Sequence, residues 1–299
     1  GSGFTSVTYS NVAFREPESR ADQTRMMSIV TTGPETGYYI DVFRSRKEQG
    51  GDKMHDYFYH NLGQTMTLTA ADGTDLNLQP TEELAFAGAH LYAYSYLYDK
   101  KVAATDKDVK VTFTIDMKDK DGDDISMNLW MKGEPEREVF TALAPMTEGL
   151  SRIPGMPYNI KEQPTLTFVA RQHGEAWNRP FVAVYEPSTR KEPSAIEAVS
   201  FFDAEEAGLK DFAGICVESK NGRTDHIFSL SDSSQTATYR GMKVKADYAV
   251  ISNEYAGNRT FFLGNGTQLI TPDVSIRTSA AANVLLEQKQ GKWYILSSA

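Results

Sequence analysis

The sequence predicts an all-β protein: a large antiparallel β-sandwich over residues 1–190, followed by a smaller antiparallel β-sandwich over 191–299. The first observation is period-2 alternation, clearest in Val109–Met117 (VKVTFTIDM) and Ile125–Lys132 (ISMNLWMK), where successive side chains must point to opposite faces. The second is punctuation. Asn221-Gly222, Gly257-Asn258, Gly264-Asn265-Gly266 and Gln290-Gly291 separate short β-branched and aromatic runs, the spacing of stacked antiparallel sheets. The third is the near absence of helical periodicity, with only Thr81-Glu-Glu-Leu84 opening on a capping residue and good helix formers, which predicts one short helix near 81–88.

Along the chain, Ser6–Phe14 alternates as a strand, Arg15–Thr24 reads as a polar loop, and Met26–Thr32 leads into Tyr38–Thr67. That stretch reads as a hairpin, with Gly50-Gly51 permitting the reversal because glycine takes positive φ freely. Its returning strand would place His55, Tyr57 and Tyr59 on one face and Asp56, Phe58 and His60 on the other. Thr65–Thr69 is closed by Asp72-Gly73, a hairpin signal. His90–Tyr98 puts tyrosines at 92, 94, 96 and 98, which on a strand share one face, either as a sugar-stacking platform or as a cross-strand aromatic ladder over a core. Lys118–Asp124 joins the clear hairpin 109–132. Asp119, Asp121 and Asp123 alternate there, but glycine falls fourth and no glutamate closes a 12-residue loop, so a solvated turn is expected rather than a calcium site.

Glu134–Gln163, rich in proline and methionine, reads as a long ordered loop. Thr165–Arg171 and Pro180–Glu186 are nearly continuous apolar strands, implying burial on both faces, with a polar loop Gln172–Arg179 between them. Ser188–Pro193 reads as a linker, after which strands continue from Ala195 to Leu296.

Composition excludes several classes. Hydrophobic residues at 40% and charged residues at 24% are those of a globular chain, and no apolar run approaches the roughly 18 residues a bilayer span needs. A net charge of −9 argues against nucleic acid or an anionic membrane as the main partner. Cys216, the single cysteine, sits in an apolar run and reads as an inert buried thiol. Gly1-Ser2-Gly3 reads as an appended remnant, so that any signal peptide has been removed or never existed. There is no P-loop, no G-x-G-x-x-G after a strand, no G-x-S-x-G elbow and no paired-cysteine zinc motif. His55 and His60 have no third metal ligand identifiable from spacing.

Tyr39-Ile-Asp-Val-Phe-Arg44, the Gly-Gly turn and His55-Asp-Tyr-Phe-Tyr-His60 resemble the DxFR…GG…HDYxxH segment of heparinase II/III-like polysaccharide lyases. Pro164–Arg171 and Asn178–Pro187 are similar to the closing strands of that family's large β domain, so the resemblance runs from about Phe4 to Val199. It implies a supersandwich for the first 190 residues, attached in the family to an N-terminal α/α toroid that supplies the catalytic tyrosine. No toroid-forming helices occur in this sequence. Upstream of Tyr38 the H-x-H and Asp positions of the family's active-site histidine and zinc are missing as well. The resemblance therefore implies zinc ligands outside this chain and no cofactor within it. It also implies a periplasmic or extracellular bacterial setting and a uronate polysaccharide as partner.

Such lyases remove the proton α to a uronate carboxylate, which demands a poised base and stabilisation of the developing charge. The candidates to contribute are His55, Tyr57, Tyr59, His60 and Arg44, with Trp177, Arg179, Tyr92 and Tyr94 as candidate sugar contacts. The competing expectation is structural, with Asp41 and Arg44 paired within the sheet, the tyrosines packed and the histidines capping the hairpin. The function expected is that of the β region of such a lyase, inactive alone and lining or supporting a polysaccharide cleft. The alternative is a stand-alone carbohydrate-binding or structural module.

Overall fold

The computed structural model describes residues 2–85, 89–117, 123–152, 154, 162–254 and 257–298, and it is almost wholly antiparallel β. Three sheets stack in layers. The central sheet has eight strands, in the order Ser2–Gly3, Val7–Arg15, Asp22–Thr31, Gly37–Arg46, Ala176–Thr189, Ile125–Met131, Val109–Ile115 and Thr65–Ala70. One of its faces packs on a five-stranded sheet ordered Met54–Asn61, Thr165–His173, Arg137–Ala144, Tyr98–Ala104 and Gln79–Pro80. The opposite face packs on an eight-stranded C-terminal sheet built from residues 196–298.

The strand Gly37–Arg46 shows why this sequence makes three layers. Each of its faces sends apolar side chains into a core. Tyr38, Ile40 and Val42 enter a core with Ile215, Val217, Val250 and Phe262 of the C-terminal sheet. Phe43 lies against the other core, which joins Phe113, Leu129 and Phe181 to Tyr57, Phe168 and Val139 of the five-stranded sheet. Residues on both sides of position 190 thus contribute to one core. A third cluster, drawn from residues 202–284, fills the far face of the C-terminal sheet. Register shifts at Lys245/Ala246 and Leu263/Gly266 bend its long strands around that cluster.

Several expectations are corrected here. The stretch 38–67 is not a hairpin: Gly37–Arg46 pairs with strands of the central sheet, whereas Met54–Asn61 pairs with Thr165–His173 in the neighbouring sheet. Gly50 and Gly51 do take positive φ, 88° and 74°, but they serve a crossover between layers. Alternation fixes which face a side chain occupies and carries no information on which strand lies alongside. Asp72-Gly73 likewise makes its turn, with the Gly73 N–H donating to Ala70 O at 2.9 Å, yet Thr65–Ala70 pairs with Val109–Ile115. Residues 81–85 are not helical. The Glu83 N–H donates to Thr81 Oγ1 at 3.1 Å in an isolated turn, and 86–88 lie outside the described residues. The tyrosine run Ala89–Tyr96 is a 3₁₀ helix, and only Tyr98 belongs to a strand. At about three residues per turn, side chains two apart diverge, so neither the platform nor the ladder forms.

The expected loop 134–163 contains the strand Arg137–Ala144, central to the five-stranded sheet, and a four-residue α-helix Glu148–Ser151; 153 and 155–161 lie outside the described residues. The loop 172–179 shrinks to Gly174-Glu175, because Trp177 and Arg179 already lie in Ala176–Thr189, and that strand also runs into the expected linker. Gly264 and Gly266 do not make a turn, since the strand Arg259–Ile270 runs through them. A Cβ on Gly264 would stand 2.8 Å from the Tyr9 ring and one on Gly266 2.3 Å from the Ala246 methyl, so these glycines permit close packing instead. Asp119 and Asp121 lie outside the described residues. Asp123 accepts the N–H groups of Arg190 and Lys191 at 2.8 and 3.0 Å.

Candidate functional site

The five residues expected to converge are divided among three surfaces. Arg44 has the parity of Ile40 and Val42 and so faces the C-terminal sheet, where its guanidinium donates to the carbonyls of Asp211 and Ser229 at 2.9 and 3.3 Å. Burial lowers its pKa to about 10. Asp41, three positions earlier, faces the other way, which overturns the expected Asp41–Arg44 pair. Its partner is Arg25, 2.5 Å away on the adjacent strand.

Tyr57 comes to that same carboxylate from the opposite layer. Its hydroxyl donates to Asp41 Oδ2 at 2.6 Å and accepts from Tyr185, and Arg25 lies 5.7 Å from the centre of its ring. Burial, reinforced by Tyr185 and Asp41, raises the Tyr57 pKa well above the usual phenol value. A base must be able to lose its proton, and this hydroxyl is held protonated as a donor. It pins two layers together. Tyr59 packs beside it, 4.9 Å from the Tyr185 ring, and remains half-buried at the edge.

The histidines are elsewhere. His55 Nε2 lies 2.6 Å from Asp52 Oδ1, which also accepts the Lys47 N–H, so His55 ties the crossover loop. His60 is on the outer face of the five-stranded sheet, its Nδ1 2.8 Å from Thr167 Oγ1. On opposite faces, the two cannot ligate one ion. Among the described residues no group of three or more His, Cys, Asp or Glu side chains is placed to hold a metal.

The outer face also carries Asp56, which the sequence did not single out. Arg171 grips its carboxylate in a fork, Nε at 2.7 Å and Nη2 at 2.9 Å, with both side chains under a tenth exposed. The Tyr94 hydroxyl donates to the same group at 2.6 Å, and burial, then the Asp56 charge, raise its pKa. Tyr94 therefore anchors the 3₁₀ helix on the sheet, edge-on to Phe58 with ring centres 5.3 Å apart, and is not free to stack on a sugar. Tyr96 and Tyr98 are exposed, while the Tyr92 side chain lies outside what is described. Trp177 carries the Arg46 guanidinium over its ring at 4.2 Å. Arg179 opens into a pocket of about 420 Å³ with His173 and Glu138. Cys216 is half-buried, its Sγ 3.9 Å from His226 Nε2, and burial raises its pKa.

A further surface follows from the unequal widths of the sheets. The five-stranded sheet leaves the first strands of the central sheet bare on their Asp41 face, exposing Val12, Phe14, Met27, Ile29 and Tyr39. Arg25 and Tyr59 stand where this floor meets the edge strand Met54–Asn61.

Residues 199–288 match the family model described as the endo-acting ulvan lyase C-terminal domain, so the C-terminal sheet is similar to the C-terminal β domain of a polysaccharide lyase. A protein that this chain is similar to is an endo-acting ulvan lyase of Formosa agariphila, 33% identical over 234 residues, which is 76% of this chain and 27% of that enzyme. The chain thus spans about a quarter of the length of the curated relative it matches. No described helix is long and apolar enough to cross a membrane.

Proposed function

We propose that this chain is the C-terminal β region of a secreted polysaccharide lyase acting on a uronate-containing polysaccharide of the ulvan class, and that it lines or supports the cleft without catalysing elimination alone. The observation that carries the reading is the length relation: the similarity to an ulvan lyase extends over 76% of this chain and leaves most of that enzyme unmatched. Elimination needs a proton acceptor close to a group that neutralises the uronate carboxylate. Tyr57, His55 and Arg44 are instead engaged in bonds that hold the layers and loops together. The bare floor formed by Val12, Met27, Ile29 and Tyr39 suits a companion domain, which in the heparinase II/III-like version of this proposal is an α/α toroid carrying the base and any zinc.

The test compares this chain with a longer protein that includes its native upstream sequence, on ulvan and other uronate polysaccharides. Unsaturated product is followed by ultraviolet absorbance. Turnover only by the longer protein is expected, and turnover by this chain alone refutes its inactivity.

A further inference from the structure

The pocket at the open end of the five-stranded sheet, about 420 Å³, is lined by Arg137, Arg179, His173, Gly174, Glu136 and Glu138, among others. Its base is Arg137, 2% exposed, whose hydrogen bonds run to Gln172 Oε1 and to the carbonyls of Lys132, Arg179 and Pro180, all uncharged acceptors. Arg179 stands beside it, held by the carbonyls of His173 at 2.9 Å and Pro135 at 3.4 Å. The carboxylate nearest Arg179, that of Glu136, is 3.6 Å away and about three-quarters exposed, and Glu138 is engaged by His173 at 2.7 Å. Gly174 keeps the mouth open, because a Cβ there would lie 3.0 Å from the Arg179 guanidinium. Both guanidiniums make their hydrogen bonds to uncharged acceptors, while Glu136 is the ion-pair partner of Arg179 and the buried Glu134 acts on Arg137 without a hydrogen bond to it. Burial lowers the Arg137 pKa to about 10, with Glu134 opposing and Arg179 adding to the effect.

We propose that this pocket binds the carboxylate of an acidic sugar residue, with Arg179 as the direct ligand, Arg137 as the buried charge beneath it and His173, already bonded to Glu138, forming the rim. It rests on the polysaccharide reading above and adds a subsite for the anionic group. The volume is within the range of small-ligand sites. A planar guanidinium matches a carboxylate geometrically, and hydrogen bonds between charged groups are the strong ones.

The test uses this chain and a purified uronate tetrasaccharide prepared from ulvan, beside the same tetrasaccharide with its carboxyl groups reduced to alcohols and its sulfates kept. Binding is measured by calorimetry and located by amide chemical-shift changes. The expected result is binding of the first, loss of at least about tenfold in affinity on carboxyl reduction, and the same loss in Arg179→Gln. Shifts should be confined to residues 136–138 and 173–179, and a smaller loss is expected in His173→Gln. Both variants are checked for unchanged thermal unfolding. Arg179 reaches only carbonyls and one exposed carboxylate, so the fold should tolerate its loss. Equal binding of the carboxyl-reduced sugar overturns the carboxylate assignment. Full affinity in both variants overturns the pocket while leaving polysaccharide binding intact. Failure of wild type to bind either sugar also overturns the pocket, and the lyase reading is then still decided by turnover of the longer protein.

Discussion

Replacing Asp56 by alanine tests whether the outer face of the five-stranded sheet is held by its buried ion pair. The carboxylate accepts from Arg171 Nε and Nη2 at 2.7 and 2.9 Å and from the Tyr94 hydroxyl at 2.6 Å. Removing one partner of a buried pair costs roughly 3–5 kcal/mol, because the other charge is left uncompensated. Arg171 keeps Glu83 at 3.2 Å, which is half exposed, and the face of Phe140 at 5.3 Å, so the low end of about 3 kcal/mol applies. The double substitution Asp56→Val with Arg171→Met removes both charges and should return to within about 1 kcal/mol of wild type. Urea unfolding at constant m measures both. Asp56→Ala within about 0.5 kcal/mol of wild type, the usual size of a surface effect, or a double variant no better than the single one, would refute the reasoning.

Two other substitutions probe buried charge. Arg44→Met should leave stability within about 1 kcal/mol of wild type, since burial already disfavours this guanidinium, whereas Arg44→Ala opens a cavity and loses about 2–4 kcal/mol; equal losses in urea unfolding would show that charge, not volume, matters there. Asp108 is raised in pKa by burial despite the Gly133 N–H at 2.7 Å. Its stabilising contribution is therefore complete below the unfolded carboxylate pKa and is lost as pH rises through the folded value. Asp108→Asn should accordingly unfold at a higher temperature than wild type at pH 7 and gain less at pH 4, and a lower melting temperature at pH 7 would contradict this.

The layers were legible where a segment's pattern decides its own conformation. The pair 109–132 forms as the alternation requires, and strands do continue from Ile196 to Ser298, as expected of the stretch after Ala195. The face assignments within Met54–Asn61 also hold, since His55 and Tyr57 point inward and Asp56 and His60 outward. Pairing was not legible, because Gly50-Gly51 looks the same in a tight reversal and in a step between sheets. The tyrosines at 92–98 misled because spacing by two suits a strand, and the 3₁₀ turn is selected by Tyr94 reaching Asp56, 38 positions earlier. Arg25 and Tyr185 escaped notice for a similar reason, as Arg25 gains its role from the Asp41 carboxylate and Tyr185 from the Tyr57 hydroxyl, each on another strand. Parity alone, however, excludes an Asp41–Arg44 pair.

The core that joins Tyr9, Ile40 and Val42 to Ile215, Val250 and Phe262 has a bearing on how such proteins are handled and inherited. A cut at residue 190 would lay open a wide greasy plane on each fragment, and the pieces would clump or seek each other. The segment that sequence families treat as a separable tail is, in energetic terms, one wall of a building that stands only whole. Gene shuffling that moved residues 199–288 by themselves would have to supply a substitute for the wall opposite.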